Sequence, residues 1–331
     1  MQNKQEGMAM APKIVYPDAE ESLSSLFTGV RLTKLEELGE FQIYYGSRPD
    51  DETFIDRLGD ASAVISGWGL SNAVLAALPN LEIISFTGLG ASTFIDLAET
   101  TRRNITVTHV LSSAETIAEH TMGLMLDTAR HISRLDRDIR RGQWNMELAN
   151  MDLRGKTLGL IGFGRIAQAV VPLAQAFGMN VVCWTRNPSR ERAERFGIEF
   201  IDLDHLLTNS DVVSLHLLST PDTEGLLDAD RLQLIKPGAL LINTARSQIL
   251  DEGALVEFLK SGHIRAAGVD VFDEEPIPPN HPFTELDNVV MTPHVAYNSP
   301  EALAAMYDTA IDNLVAYYSG NPQNVATVSE I

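Results

Sequence analysis

Residues 156–168 read Lys156-Thr-Leu-Gly-Leu-Ile-Gly162-Phe-Gly164-Arg-Ile-Ala167-Gln168. A short apolar strand ends at Gly162, and a helical stretch opens at once and runs to Phe177-Gly178. This is G-x-G-x-x-A in the strand–turn–helix setting the motif needs. Gly162 permits the tight turn, Gly164 lets backbone approach a pyrophosphate, and Ala167 keeps helix and strand close. The free N–H groups and dipole at a helix N-terminus favour an anion there. The stretch therefore reads as a dinucleotide loop opening a Rossmann-type domain. An accidental glycine loop would lack the flanking strands and helix.

The next strand ends in Val181-Val-Cys-Trp184-Thr185-Arg186-Asn187. An NAD-preferring site carries an acid at this strand's end, to bind the ribose 2′-hydroxyl. Thr185 stands there instead, with Arg186 and Arg190 nearby, which suits a 2′-phosphate. Arg186 stacked on adenine or turned to solvent is the alternative. The reading leans to NADP, with NAD kept open.

Outward from the loop, Val-, Ile- and Leu-rich runs alternate with amphipathic stretches. Downstream strands are predicted at Thr157–Ile161, Val181–Trp184, Val212–Leu217, Ala239–Asn243, Ala266–Val271 and Val289–Thr292. Upstream runs are Lys13–Tyr16, Phe41–Tyr44, Ala63–Ser66, Leu81–Phe86 and Thr106–Val110, with helices between them at Ser71–Leu78 and Asp96–Arg103. Such alternation predicts an α/β protein with parallel, doubly covered sheets. One long helix is predicted from Ala114 to about Arg141, with an apolar stripe able to bridge domains or form a dimer surface. The predicted architecture is a doubly wound Rossmann sheet (113–297) inserted into a smaller, flavodoxin-like α/β substrate domain. That second domain is discontinuous, 12–112 plus 298–331, its last helix being Pro300–Ser319.

At 331 residues, with 44% hydrophobic and 21% charged residues, the composition suits two globular domains rather than a disordered chain. A net charge of −20 makes nucleic acid a poor partner, so any anion site must be built locally. The single cysteine, Cys183, excludes an internal disulfide and a cysteine-based zinc cage. No signal-peptide core stands in the first residues, and no apolar run is long enough for a membrane span. The expectation is a cytoplasmic protein without a membrane partner.

Three further segments place polar residues just past strand ends. Ala239-Leu-Leu-Ile-Asn-Thr-Ala-Arg246-Ser247 offers an arginine, Gly268-Val-Asp270-Val-Phe-Asp-Glu-Glu275-Pro276 offers acids, and Asn288-Val-Val-Met-Thr-Pro293-His294 offers a histidine. Ligands of open α/β sheets bind outside the strands' carboxyl ends, so Arg246, Glu275 and His294 should converge. Arg246 can grip a 2-keto acid with paired donors. His294 can exchange a proton with the carbonyl oxygen. Glu275 can orient that ring and favour its protonated form. Singly, each has a bland explanation: a capping arginine, a surface acid, a packed loop histidine. Their order after the dinucleotide loop makes the joint accident improbable.

With these residues in view, the chain resembles the D-isomer-specific 2-hydroxyacid dehydrogenases over nearly its whole length. The resemblance rests on LRGKTLGLIGFGRIAQ, on SDVVSLHLLSTPDTEG…INTARSQILDEGALVEFLKSGHIRAAGVDVFDEEP, and on NVVMTPHVAYNSPEA. It implies Arg246, Glu275 and His294 as the catalytic residues, and Asp270 as a contact to the nicotinamide carboxamide. It also implies that backbone amides of Thr87-Gly88-Leu89-Gly90-Ala91 hold a substrate carboxylate. Cofactor contacts are accordingly expected from Gly162, Phe163, Gly164, Arg165, Ile166, Thr185, Arg186, His216, Thr244, Ala245, Asp270 and His294. Substrate contacts are expected from Leu89, Gly90, Arg246 and His294, with no metal, a homodimer, and a small 2-keto or 2-hydroxy acid as partner.

Departures from the family pattern lie outside the trio. Ser247 replaces a glycine, Leu218 a proline, and Tyr297 a glycine, while Ala91-Ser92-Thr93-Phe94 lacks the usual aspartate. With Trp68, these bear on substrate choice. His120 is read as structural. Glu275 argues against a formate dehydrogenase, whose relatives carry glutamine there. A phosphoglycerate dehydrogenase without the regulatory domain of the long forms, for which 331 residues leave no room, and a dinucleotide-sensing interaction protein remain as rival expectations.

Overall fold

The computed structural model describes residues 11–46, 50–88, 90–111 and 113–327. The chain forms two compact units, one of residues up to 112 together with 300 onward, the other Ser113–Ser299.

The first unit holds strands β1 (Lys13–Ala19), β2 (Glu40–Tyr45), β3 (Ala63–Ser66), β4 (Ile83–Phe86) and β5 (Thr106–Thr108). They pair in parallel in the order β2-β1-β3-β4-β5. That is the flavodoxin-like order. Strands β3 and β4 are buried along their whole length, as sheets covered on both faces require. One face packs Val15, Val64, Ile84 and Val107 against Phe54, Leu58, Leu75 and Ile95. The other carries the last helix, Pro300–Tyr318. Tyr16 and Tyr307 share a buried hydroxyl hydrogen bond of 2.9 Å, and Ser85 Oγ donates to the Ala310 carbonyl at 2.8 Å.

The second unit holds β6 (Thr157–Ile161), β7 (Asn180–Trp184), β8 (Glu199–Phe200), β9 (Val212–Leu215), β10 (Ala239–Asn243), β11 (Ile264–Val269) and β12 (Val289–Met291). The order β12-β11-β10-β9-β6-β7-β8 is all parallel and reverses direction at β6, the strand that ends in the dinucleotide loop. Leucine-rich clusters cover both faces. β8, two residues long, has no counterpart among the predicted strands.

The predicted long helix is two helices, Ala114–Arg130 and Ile132–Arg140. His131 separates them in the left-handed region, at φ 54°. The Asp127 carboxylate accepts from Ser133 N at 2.8 Å and so serves the start of the second helix. Among the described residues, no helix is long and apolar enough to cross a membrane.

Candidate active site

The residues of interest in the second unit lie at one edge, where its parallel strands all end. At the end of β10, the Asn243 side chain brackets a turn, accepting from Ala245 N and donating to the Arg246 carbonyl, both at 3.0 Å. Arg246 is thereby held just past the strand, with Nη1 donating to the Ala245 carbonyl at 2.7 Å. Burial lowers the guanidinium from its ordinary value, and the nearby Glu275 charge opposes that shift. Arginine stays charged regardless. Thr121 Oγ donates to the Ile117 carbonyl at 2.7 Å, so its oxygen accepts from Thr244 Oγ at 2.9 Å.

Past β11, Asp270 is 1% exposed. Its Oδ1 accepts from Thr292 Oγ at 2.5 Å and from Val295 N at 3.0 Å, and its Oδ2 accepts from Ala296 N at 2.9 Å. Thr292 Oγ, its proton used, accepts from His120 Nε2 at 3.0 Å. Asp270 therefore holds the loop on both sides of His294, through the Thr292 hydroxyl before it and two backbone amides after it. The resemblance implied a carboxamide contact for Asp270 and not this anchoring. His120 and Thr292 were not expected at the site, because residues so far apart in sequence share no readable spacing.

His294 follows β12 at φ 53°, in the left-handed region. Its Nδ1 lies 2.7 Å from Glu275 Oε2, while Glu275 Oε1 accepts from Phe272 N at 2.9 Å. Burial alone would raise the Glu275 carboxyl. The His294 hydrogen bond, the Phe272 N–H and the charges of His294 and Arg246 outweigh it and hold the group below the usual carboxylate range. An ionised carboxylate only accepts, so Nδ1 carries the hydrogen and Nε2 is the ring atom left for chemistry. The Tyr297 ring meets the imidazole edge-on, with centroids 6.4 Å apart.

The dinucleotide loop follows β6. Gly162 has φ 99°, and a Cβ there would stand 2.4 Å from the His216 carbonyl oxygen. At Gly164 a Cβ would meet nothing within 4 Å. The helix Arg165–Ala176 begins on Gly164 with no side-chain cap, whereas Ser189, Asp202, Asp228 and Asp251 cap helices of the same unit. Open space before uncapped N–H groups fits a pyrophosphate.

The other residues expected to touch cofactor divide by burial. Phe163 and Ala245 are buried, so whatever they offer a ligand comes from backbone. The Phe163 ring packs edge-on against Phe196 and Phe200. Arg165 is exposed, and Ile166 and Thr185 are half-buried. His216 shares a 2.9 Å hydrogen bond with Ser214 Oγ, and burial pushes its ring down to about 3, so it stays neutral. Arg186 is exposed and paired with Asp222 at 2.9 Å. Leu89 lies outside the described residues. Gly90 stands in the first unit at φ 72°, before a short 3₁₀ turn at Ala91–Thr93.

Residues 122–296 match the family described as D-isomer specific 2-hydroxyacid dehydrogenase, NAD binding domain. A glyoxylate reductase of Korarchaeum cryptofilum is 35% identical over 304 residues, 89% of this chain and 91% of its own length. A D-3-phosphoglycerate dehydrogenase of Methanocaldococcus jannaschii is 38% identical over 82% of this chain, which spans only 52% of that protein. Among solved structures, an NADPH-dependent glyoxylate/hydroxypyruvate reductase from Sinorhizobium meliloti, in complex with NADP and malonate, superposes with a TM-score of 0.84. It is 30% identical, over 96% of this chain and 97% of that one.

Proposed function

The chain belongs to the D-isomer specific 2-hydroxyacid dehydrogenase family, and from that premise we propose that it is an NADPH-preferring reductase of glyoxylate or hydroxypyruvate. The observation that carries the reading is the 2.7 Å His294–Glu275 pair, set beside Arg246 at the sheet edge that also bears the glycine turn. A nicotinamide dinucleotide bound at that turn would supply or accept the hydride. The residues do the rest.

Arg246 offers paired N–H donors to the carboxylate of a 2-keto acid, and its charge draws electron density toward the carbonyl oxygen. Glu275 holds the Nδ1 hydrogen, so His294 works through Nε2. Protonated, Nε2 gives its hydrogen to the carbonyl oxygen as that oxygen becomes a hydroxyl; neutral, it takes the hydrogen back in the reverse direction. Asp270 keeps the histidine loop from drifting by holding the amides of Val295 and Ala296. Gly162, Gly164 and the uncapped helix would receive the pyrophosphate. Thr185 brings no charge against a 2′-phosphate, and Arg186 follows it.

A homodimer in a reducing, cytoplasmic setting completes the proposal. Its support is an exposed apolar set, Ile132, Ile139, Trp144 and Met146, and a lone buried thiol, Cys183. The deciding experiment is a turnover screen of NADPH and NADH against glyoxylate, hydroxypyruvate, pyruvate and phenylpyruvate. Ketoacid-dependent cofactor oxidation, fastest with NADPH and with glyoxylate or hydroxypyruvate, is expected. Tight cofactor binding with no turnover of any 2-keto acid would favour a dinucleotide-sensing protein instead.

A further inference from the structure

Four arginines stand between β7 and β8, and Arg186 is the one turned across the dinucleotide loop; Arg195 lies over the Phe196 ring at 5.2 Å. Arg192 is committed inward: it lies over the Phe163 ring at 5.0 Å and donates to the Phe163 and Asn187 carbonyls. Arg190 pairs with Glu194, one turn along its own helix, at 2.7 Å. Arg186 instead reaches Asp222, at 2.9 Å.

That ion pair has a particular place in the sheet. Arg186 follows the end of β7 and Asp222 lies beyond the end of β9, and these two strands flank β6 on either side. The bridge therefore straddles the glycine turn at the end of β6. Asp222 is not on a loose loop. Thr223, 4% exposed, donates from Oγ to the Leu218 carbonyl at 2.6 Å, and its Oγ accepts from Thr220 N at 2.9 Å, closing the turn that presents Asp222.

We propose that Asp222 is a cofactor-discriminating residue, competing with the 2′-phosphate of NADP for Arg186. The inference rests on the NADPH reading above. No acid stands at the end of β7, where most NAD-preferring sites exclude the phosphate. Asp222 supplies a negative charge from the opposite side of the loop, and a milder one, because its partner neutralises it. With NADH bound, the pair stays closed. With NADPH bound, the phosphate takes Arg186 and leaves Asp222 as a like charge nearby. Both side chains are well exposed, 45% and 73%, so the bridge is weak enough for a dianion to open.

The test is binding of NADPH and NADH, by titration calorimetry, to wild type, Asp222→Asn, Arg186→Ala and the double variant. Asp222→Asn is expected to tighten NADPH by roughly two- to fivefold, the range of an exposed charge interaction, and to leave NADH within twofold. Added salt should shrink the gain. In the Arg186→Ala background the gain should largely vanish, since the competition is for that guanidinium. If Arg186→Ala weakens NADPH selectively but Asp222→Asn changes nothing, the role of Asp222 is overturned and the NADPH reading survives. If Arg186→Ala leaves the NADPH/NADH ratio unmoved, the NADPH reading fails and this inference with it.

Discussion

His294 Nδ1 and Glu275 Oε2 stand 2.7 Å apart, and the other oxygen of Glu275 is pinned by Phe272 N. The carboxylate therefore fixes both the orientation and the tautomer of the ring. Glu275→Gln puts an amide there that can present either its oxygen or its nitrogen, so the tautomer is no longer set. We expect kcat to fall on the order of 10²-fold, the scale of general acid–base catalysis, with dinucleotide affinity little changed. Steady-state kinetics on both substrates check this; an unaltered kcat would remove the pair from the mechanism.

The same carboxyl has a signature in stability. Its folded value lies below the ordinary glutamate value of 4.5. A group shifted in that sense stabilises the fold above its unfolded value, and the gain is lost as pH falls through the folded one. Wild type should therefore melt higher than Glu275→Gln near neutral pH, and the gap should close below about pH 4.5. Thermal melts across that window decide; a gap independent of pH would contradict the direction of the shift.

Arg246→Lys keeps the charge but loses the planar fork. Losing one charge-assisted hydrogen bond costs about 1.5–3 kcal/mol, so kcat/KM for the ketoacid should drop roughly ten- to hundredfold or more. Circular dichroism should be unchanged. Wild-type kcat/KM in this variant would sink the assignment of Arg246.

Two glycines of one loop should fail differently. Gly162→Ala forces a Cβ to 2.4 Å from the His216 carbonyl at φ 99°, so both folding and dinucleotide binding should suffer, by more than about 1 kcal/mol in stability. Gly164→Ala adds a methyl group to open space. It should melt like wild type and still bind the dinucleotide poorly, because the methyl group occupies the approach of the pyrophosphate. Equal melting temperatures for the two variants would contradict the geometry.

Trp144 and Met146 are 80% and 81% exposed, with Ile132 and Ile139 more than half exposed. Large apolar side chains gathered in one stretch of chain mark an interaction surface. Light scattering at micromolar concentration should give twice the 36.3 kDa chain mass, and Trp144→Glu with Ile139→Glu should return the monomer. A wild-type monomer would refute the dimer.

Periodicity and punctuation carried most of the fold, since fully buried parallel strands read as unbroken apolar runs and Gly162 marks where β6 stops. What escaped did so for physical reasons. The break at His131 leaves the apolar period undisturbed, and its support is one side-chain acceptor, Asp127, six residues before Ser133. β8 is too short for any alternation to register. Within the site, Arg246, Glu275 and His294 were legible because each follows a strand end. Asp270 was legible as a residue but not as an anchor, because its partners at Thr292, Val295 and Ala296 become neighbours only when β11 and β12 align. Asp222 was invisible for the same reason, thirty-six residues from Arg186.

The helix Pro300–Tyr318 also sets an order of events during synthesis. Strands β1–β5 leave the ribosome first, yet the face of their sheet that Tyr307 and Ala310 cover waits until all of Ser113–Ser299 has followed. At 5–20 residues per second that delay is on the order of ten seconds or more. The later unit can close while the earlier one still exposes Ile14, Tyr16, Ile65 and Ile83. Released chains truncated after Ser299 should therefore protect the second unit from protease and leave the first open, reversing the usual N-terminal-first sequence of domain folding.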